Sequence, residues 1–212
     1  MNSIPTIIIA VTALVTYAGL SDFSFFEKYK FNISAVKYGQ QYRMLTSGFL
    51  HADWFHFIFN MYSFWTFANF LTREFNTMNF LLIYFGSMLL GSLLTYYIHK
   101  NESYYSAVGA SGAVTGIIFC AILLYPEIEL LLFFAIPIPG FLFAVLYLGY
   151  SIYGMKGRFD NIGHTAHLGG AIGGLVLTLF LRPDLFESRV LFIGILLIPI
   201  AVLIYLVKMK KI

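Results

Sequence analysis

Charged residues are confined to short stretches of this sequence, and that confinement constrains its fold more than any other feature. Seven windows of 17 to 24 residues contain no Asp, Glu, Lys or Arg; they cover 4–20, 55–72, 75–98, 103–126, 130–153, 162–181 and 190–207. A bilayer-spanning helix needs about 20 mostly apolar residues, so each window has the length of one span. The sequence therefore predicts an all-α polytopic membrane protein and excludes a soluble enzyme, a disordered chain and a β-barrel.

The connections between the windows are short except for residues 21–54. Aromatic and basic residues alternate in this long first loop, a mixture typical of a segment that lies in the headgroup region. An ordinary aromatic belt accounts for the same mixture, so a structural and a functional interpretation both remain open. The first window has no basic leader and no small-residue cleavage pattern, and we interpret it as a retained helix rather than a signal peptide.

Two further features shape the expected helices. Pro137, Pro139 and Gly140 would interrupt a helix, so we expect the fifth span to begin near Phe141 and the residues before it to form an irregular connection. Small residues crowd the sixth window at 165–174, and small residues spaced by four let two membrane helices approach closely.

The ends of the chain and its single cysteine exclude other classes. The basic residues Lys208, Lys210 and Lys211 suit anionic lipid headgroups, and we expect no nucleic-acid partner. Cys120 is the only cysteine, so the chain has no internal disulfide, and packing accounts for it.

The uncharged polar groups inside the windows indicate a catalytic site. His56 precedes Asn60 by one helical turn in the second window, Ser111 lies between glycines in the fourth, and His164 and His167 begin the sixth. The second, fourth and sixth helices all enter the membrane from the same face, so these groups can share one cavity. Because no carboxylate lies inside the windows, catalysis here would use a Ser-His dyad unless an acidic residue of a loop folds in. Proton-coupled transport likewise lacks its usual groups.

Roles follow from the chemistry of these side chains. A serine at a helix N-terminus is placed where backbone N–H groups stabilise an oxyanion, which makes Ser111 a candidate nucleophile. His167 is then a candidate general base, and His56 and Asn60 are candidate hydrogen-bond donors to the developing charge.

Each motif also has a structural interpretation when taken alone. Gly-x-Ser-Gly is common in helix packing, and His-x-x-x-Asn often forms an interhelical hydrogen bond. Four histidines could instead bind a metal, but the windows offer no carboxylate ligand and no His-Glu-x-x-His, so we predict no metal and no cofactor; the four are His51, His56, His164 and His167. Interfacial solvation is the expected state of His51 and His99, which lie at or beyond span ends.

Together, in this order, the motifs resemble those of the rhomboid family of intramembrane serine proteases. The matching residues are His56 and Asn60 on the second helix, Gly109, Ser111 and Gly112 on the fourth, and Ala166, His167, Gly170 and Gly174 on the sixth. The resemblance implies that Ser111 is the nucleophile and His167 the base and acid. It also implies an oxyanion hole of His56, Asn60 and the Ser111 N–H, with Gly170 and Gly174 packing the sixth helix on the fourth.

Two departures from the family pattern stand out. The first loop carries Tyr42-Arg43 where rhomboids typically have Trp-Arg. Thr115 stands where rhomboids usually place an aromatic ring against the catalytic histidine; we expect a ring from one of three other residues, Tyr104, Tyr105 or Phe119.

The resemblance also implies a layout and a location. It suggests a six-helix catalytic core at 1–187 and an additional C-terminal helix with a basic tail at 188–212, in the plasma membrane of a bacterium. The face that carries the polar groups has 10 Lys and Arg against 3 on the opposite face, which would place it in the cytoplasm. Rhomboids typically open their site to the outside, and we follow the resemblance because four of the ten charges belong to the first loop.

The predicted activity is endopeptidase cleavage of the transmembrane segments of single-span membrane proteins. Two alternatives are a catalytically inactive rhomboid-like protein that binds membrane proteins or acts in their quality control, and a small transporter. The sequence leaves the substrate, the cleavage site and the oligomeric state open.

Overall fold

The computed structural model describes residues 3–132, 135–157 and 163–209, and its regular structure is mainly helical. The helices, in chain order, are α1 (Ile4–Ser21), α2 (Phe23–Tyr29), α3 (Ile33–Lys37), α4 (Arg43–Thr46), α5 (Trp54–Glu74), α6 (Thr77–His99), α7 (Ser111–Leu124), α8 (Gly140–Gly157), α9 (His164–Leu181), α10 (Leu185–Ser188) and α11 (Val190–Lys208). Two antiparallel strand pairs join them: β1 (Phe31–Asn32) with β2 (Ser106–Ala107), and β3 (Glu129–Leu132) with β4 (Ile136–Pro139). Lys210 and Lys211 lie outside the described residues.

Each charge-free window corresponds to one helix, although these helices differ in length. Within the described ranges, α1, α6, α9 and α11 are long and apolar enough to cross a membrane by length and composition, and α7 and α8 supply shorter apolar helices. The second window lies within α5, which has 21 residues. The prediction of an all-α polytopic membrane protein is therefore confirmed, and the protein is an integral, multi-pass membrane protein.

Helix α9 lies between α6 and α7 and packs along both. Glycines on two sides of α9 allow this close packing. On one side, a Cβ at Gly169 would lie 2.6 Å from Leu90 O of α6. On the other side, a Cβ at Gly170 would overlap the carbonyl oxygen of Gly112, and one at Gly174 that of Gly116. These backbones approach closely because glycine has no side chain to separate them.

The first loop is folded rather than extended along the surface. Arg43 is only 8% exposed, and its Nη1 donates to the carbonyl oxygens of Glu27 and Lys30 at 2.7 and 2.8 Å. Strand β1 pairs with β2, so that Phe31 lies opposite Ala107 and Asn32 opposite Ser106. The loop is thereby fastened to the segment that precedes α7.

The connection before α8 is regular, so the expectation of an irregular segment there was wrong. Strands β3 and β4 form an antiparallel hairpin in which Leu130 lies opposite Ile138, and α8 begins at Gly140. Pairing satisfies the backbone groups of a strongly apolar segment, which is otherwise costly near a membrane.

The ends of the helices opposite the first loop are joined by polar contacts. The Tyr125 hydroxyl at the end of α7 donates to Glu74 of α5, and Arg182 after α9 lies 3.5 Å from the same carboxylate. Helix α11 packs on α8, where the rings of Phe192 and Phe141 are 5.7 Å apart.

Candidate active site

Ser111 is the first residue of α7 and is only partly buried. The eight residues before it in the charge-free window are not helical, so the serine lies at a helix N-terminus instead of inside a span. Its backbone N–H belongs to the first helical turn, whose N–H groups have no acceptor within the helix. Both this N–H and the positive end of the helix dipole are therefore available to an anion beside Ser111.

Gly109 lets His56 approach the loop that carries Ser111. Its φ of +126° is a left-handed conformation that side chains other than glycine rarely adopt. A Cβ there would lie 2.9 Å from His56 Nε2 and 3.7 Å from Ser111 Oγ, so both groups lie on the same side of the glycine. The sequence-predicted His56 and Ser111 are thus neighbours in the structure.

The first turn of α5 fixes His56, and Asn60 lies one turn further on. Asp53 caps the helix by accepting a hydrogen bond from the His56 N–H at 2.7 Å. Asn60 is 4% exposed, and its Nδ2 donates to the His56 carbonyl oxygen at 3.0 Å. The second Nδ2 hydrogen is not used by this bond.

His167 is carried by the part of α9 that contacts α7 most closely. A Cβ at Gly112 would lie 3.2 Å from the carbonyl oxygen of Ala166, the residue before His167. Gly170, three residues after His167, meets the backbone of Gly112 itself. The glycine contacts therefore bring His167 to the same helix crossing as Ser111.

The aromatic ring beside His167 comes from Tyr147 of α8. The two rings are stacked with centroids 6.0 Å apart and planes at 24°. None of the three expected residues supplies this ring: Tyr104 is 97% exposed, Tyr105 stacks on His99, and Phe119 packs on Tyr147 at 6.1 Å. The expectation was wrong because the ring crosses from a different helix.

Thr115 takes part in this arrangement through its hydroxyl. Thr115 Oγ1 and the Tyr147 hydroxyl are 3.2 Å apart, within hydrogen-bond distance, and Thr115 is 4% exposed. A larger aromatic side chain at 115 would compete with Tyr147 for this space. Thr115 therefore departs from the family pattern together with Tyr147 of α8, which supplies the aromatic ring.

His51 was expected at the water interface, and the structure shows the opposite. The residue is fully buried, and its ring contacts that of His56 edge to face at 4.9 Å. Burial, with a smaller contribution from His56, lowers the pKa of His51 to about 3. His99 also differs from the expectation, because it stacks on Tyr105 at 3.8 Å and its Nδ1 lies 3.2 Å from Glu102.

Two cavities adjoin these residues. A large one of about 610 Å³ lies between the first loop, the segment before α7 and the start of α9, and is lined by residues that include Lys30, His56, Glu102 and His164. A small one of about 30 Å³ adjoins Ser111 and is lined partly by the hydroxyl-bearing Ser47, Ser92 and Thr95. Within the described ranges, no group of three or more His, Cys, Asp or Glu is arranged to hold a metal ion.

The Rhomboid domain family matches residues 38–184, well over half of the chain. The chain belongs to the rhomboid family. The earlier resemblance is thereby confirmed, and the matched region contains every proposed site residue.

Rhomboid relatives come from several organisms. The chain is 31% identical over 156 residues to "RHOMBOID-like protein 12, mitochondrial" of Arabidopsis thaliana, an alignment that covers 66% of this chain and 46% of the relative. It is 29% identical to "Rhomboid protein 1, mitochondrial" of Saccharomyces cerevisiae, covering 69% and 43%. It is also 29% identical to "Rhomboid protease GluP" of Bacillus subtilis, covering 80% and 32%. The chain thus spans less than half the length of each of these relatives.

These rhomboid relatives do not support the expected bacterial plasma membrane. Two of the three are named as mitochondrial and the third comes from a bacterium. The family is therefore found in more than one kind of membrane.

Sequence reasoning missed Tyr147 and considered His51 only as a possible metal ligand or an interfacial residue. Tyr147 is one of many aromatic residues in an apolar window, and no local pattern distinguishes it from its neighbours. His51 lies five residues before His56, and that short spacing was the one available signal. Both residues make contacts between elements that are distant in the sequence.

Proposed function

We propose that this rhomboid is an intramembrane serine endopeptidase. The observation that carries the proposal is the position of Ser111 at the N-terminus of α7, facing His56 across Gly109 at the helix crossing that holds His167. A nucleophile, a base and oxyanion donors are needed for acyl transfer, and these residues supply all three kinds of group.

The reaction follows from the chemistry of these groups. Ser111 Oγ attacks the carbonyl carbon of a peptide bond while His167 accepts the hydroxyl proton. The Ser111 N–H, His56 and Asn60 donate hydrogen bonds to the resulting oxyanion. When the intermediate collapses, the C–N bond breaks, His167 gives its proton to the leaving amine, and an acyl ester remains on Ser111.

Water then completes the cycle. His167 removes a proton from a water molecule that attacks the ester, and the proton returns to Ser111 Oγ as the acid product leaves. The 610 Å³ cavity supports this step because it connects His56 with the loops at the membrane face. It also gives room for a substrate segment beside His56.

The substrates we propose are transmembrane segments of single-span membrane proteins. A helical segment hides its carbonyl groups in its own hydrogen bonds, so the substrate must unwind locally before Ser111 can attack. The lipid bilayer is the other partner, and the chemistry requires no cofactor.

The domain arrangement belongs to the same proposal. We assign residues 1–187 to the catalytic core and 188–212 to an additional helix with a basic tail. The family match ends at residue 184 and α11 begins at Val190, which supports this division.

The experiment is cleavage of a single-span substrate by the purified protein in detergent. We expect product from wild type and none from Ser111→Ala or His167→Ala, with melting temperatures close to that of wild type. Ser151→Ala, which alters a buried serine of α8, is the matched control and should retain activity. Full activity of Ser111→Ala would contradict the proposal.

A fluorophosphonate probe separates this proposal from the non-catalytic alternative. An active enzyme is labelled at Ser111, whereas an inactive rhomboid-like protein is not. Thr115, which stands in place of the family's aromatic ring, favours an inactive protein, but the ring of Tyr147 stacks on His167 instead.

A further inference from the structure

His51 is connected to two distant parts of the chain through both of its ring nitrogens. Its Nδ1 lies 2.9 Å from Thr16 Oγ1 of α1, and its Nε2 accepts a hydrogen bond from the Ala110 N–H at 3.3 Å. His51 and Thr16 are both 0% exposed. The ring therefore joins α1 to the loop immediately before Ser111.

These bonds define which nitrogen carries the proton. Because the Ala110 N–H is a donor, Nε2 must be unprotonated, and a neutral ring then carries its hydrogen on Nδ1. Nδ1 donates to Thr16 Oγ1, and the Thr16 hydroxyl donates in turn to the Phe49 carbonyl oxygen at 3.1 Å. The hydrogen bonds from Ala110 through His51 and Thr16 to Phe49 therefore all run in one direction, with each group donating to the next.

The same bonds fix the backbone that precedes the serine. Gly109 N–H donates to the Ser47 carbonyl oxygen at 3.0 Å, and Ala110 N–H donates to His51. Two consecutive amides are thus held by the last part of the first loop, and the next residue is Ser111. The bond to His51 also occupies the Ala110 N–H, which leaves the Ser111 N–H as the backbone donor for an oxyanion.

We infer that His51 is a positioning residue, which holds the Gly109–Ala110 backbone so that Ser111 Oγ and the Ser111 N–H face the substrate carbonyl. This inference rests on the proposed protease function. A positioning role for His51 differs from a packing role in one respect. Loss of the hydrogen bond to Ala110 lowers the rate of the chemical step even in molecules that remain folded. An error of about 1 Å in the position of a reacting group costs up to about a hundredfold in rate.

Two substitutions at residue 51 separate its two bonds. His51→Gln retains an acceptor near the position of Nε2, whereas His51→Asn retains a polar group only near Nδ1. We expect kcat to fall by less than about fivefold in His51→Gln and by about tenfold to a hundredfold in His51→Asn, with KM within about twofold of wild type in both. Activity is normalised to the fraction of protein that the fluorophosphonate probe labels at saturation.

Substitutions in α1 test the same connection at a distance from the site. Thr16→Val removes the partner of Nδ1, and we expect kcat to fall about fivefold with little change in KM. Thr16→Ser retains the hydroxyl and should restore kcat. Thr12→Val is the matched control, because Thr12 is also 0% exposed but its hydroxyl, among the described residues, bonds only to Ile8 O of its own helix.

Two spectroscopic readouts do not depend on turnover. The ¹⁵N spectrum of the histidines in Ser111→Ala should show His51 protonated on Nδ1, and exchange of the Ala110 amide hydrogen should be faster in His51→Asn than in His51→Gln. A wild type that neither cleaves nor reacts with the probe overturns the proposed function and this inference with it. An active wild type whose His51→Asn and Thr16→Val variants lose only melting temperature, at unchanged kcat, overturns the positioning role alone.

Discussion

Tyr147 should support His167 through its ring and Thr115 through its hydroxyl, and substitutions can separate the two contributions. Tyr147→Leu removes the ring that stacks on His167 at 6.0 Å. Tyr147→Phe keeps the ring and removes only the hydroxyl that pairs with Thr115 at 3.2 Å. The first change should therefore affect catalysis and the second mainly stability.

The expected magnitudes follow from the two contacts. An aromatic pair contributes about 0.5–1.5 kcal/mol beyond its buried area, so loss of this orientation lowers kcat of Tyr147→Leu about two- to tenfold. In Tyr147→Phe the hydroxyl of Thr115, a residue that is only 4% exposed, loses its partner, and the free energy of unfolding falls by about 1–3 kcal/mol. The double variant Thr115→Val/Tyr147→Phe removes both groups and should recover about 1 kcal/mol or more of that loss.

The assay is cleavage of a single-span substrate, with kcat and KM measured per probe-labelled enzyme and melting temperature measured alongside. Phe143→Leu is the matched control, because Phe143 stacks on Tyr147 at 5.7 Å on the same helix. We expect it to keep kcat within about twofold of wild type. If Tyr147→Leu retains the wild-type kcat, or if Phe143→Leu loses as much, stacking on His167 does not support the base and the reasoning is refuted.

Two further predictions concern packing and pH. Gly170→Ala should lower the free energy of unfolding by about 1–3 kcal/mol, because the new Cβ would overlap the Gly112 backbone. Gly194→Ala is the control: its new Cβ would meet nothing within 4 Å, so the substitution should be neutral or stabilising. The melting temperatures of the two variants test this prediction. The depressed pKa of His51, about 3 against an ordinary 6.5, means that the unfolded chain binds a proton between those values and the folded protein does not. Wild type should therefore lose stability as pH falls from 6.5 towards 3, by up to about 1.4 kcal/mol per pH unit from this residue, and His51→Gln should lack that contribution. Equal pH slopes in wild type and His51→Gln would contradict it.

Local patterns were sufficient for the fold class and for the identity of the motifs. A bilayer excludes charge over about 30 Å, so a charge-free window of suitable length predicts a helix without knowledge of its neighbours. Glycine spacing in 165–174 likewise indicated close helix contacts, and the structure places Gly170 and Gly174 against α7. The hairpin at 129–139 was not predicted, because pairing between β3 and β4 replaces helix formation in an apolar sequence.

The sequence by itself determined that this chain spans a membrane and carries few polar groups within it, since charge and periodicity are local properties that the bilayer selects directly. Tertiary structure alone decided which side chains support the proposed nucleophile and base. Tyr147 meets His167 only because of how α8 is rotated against α9, and His51 meets Ala110 only because the first loop folds back towards α7. Such contacts join residues separated by 20 and 59 positions in the chain, and no spacing rule within one helix encodes them.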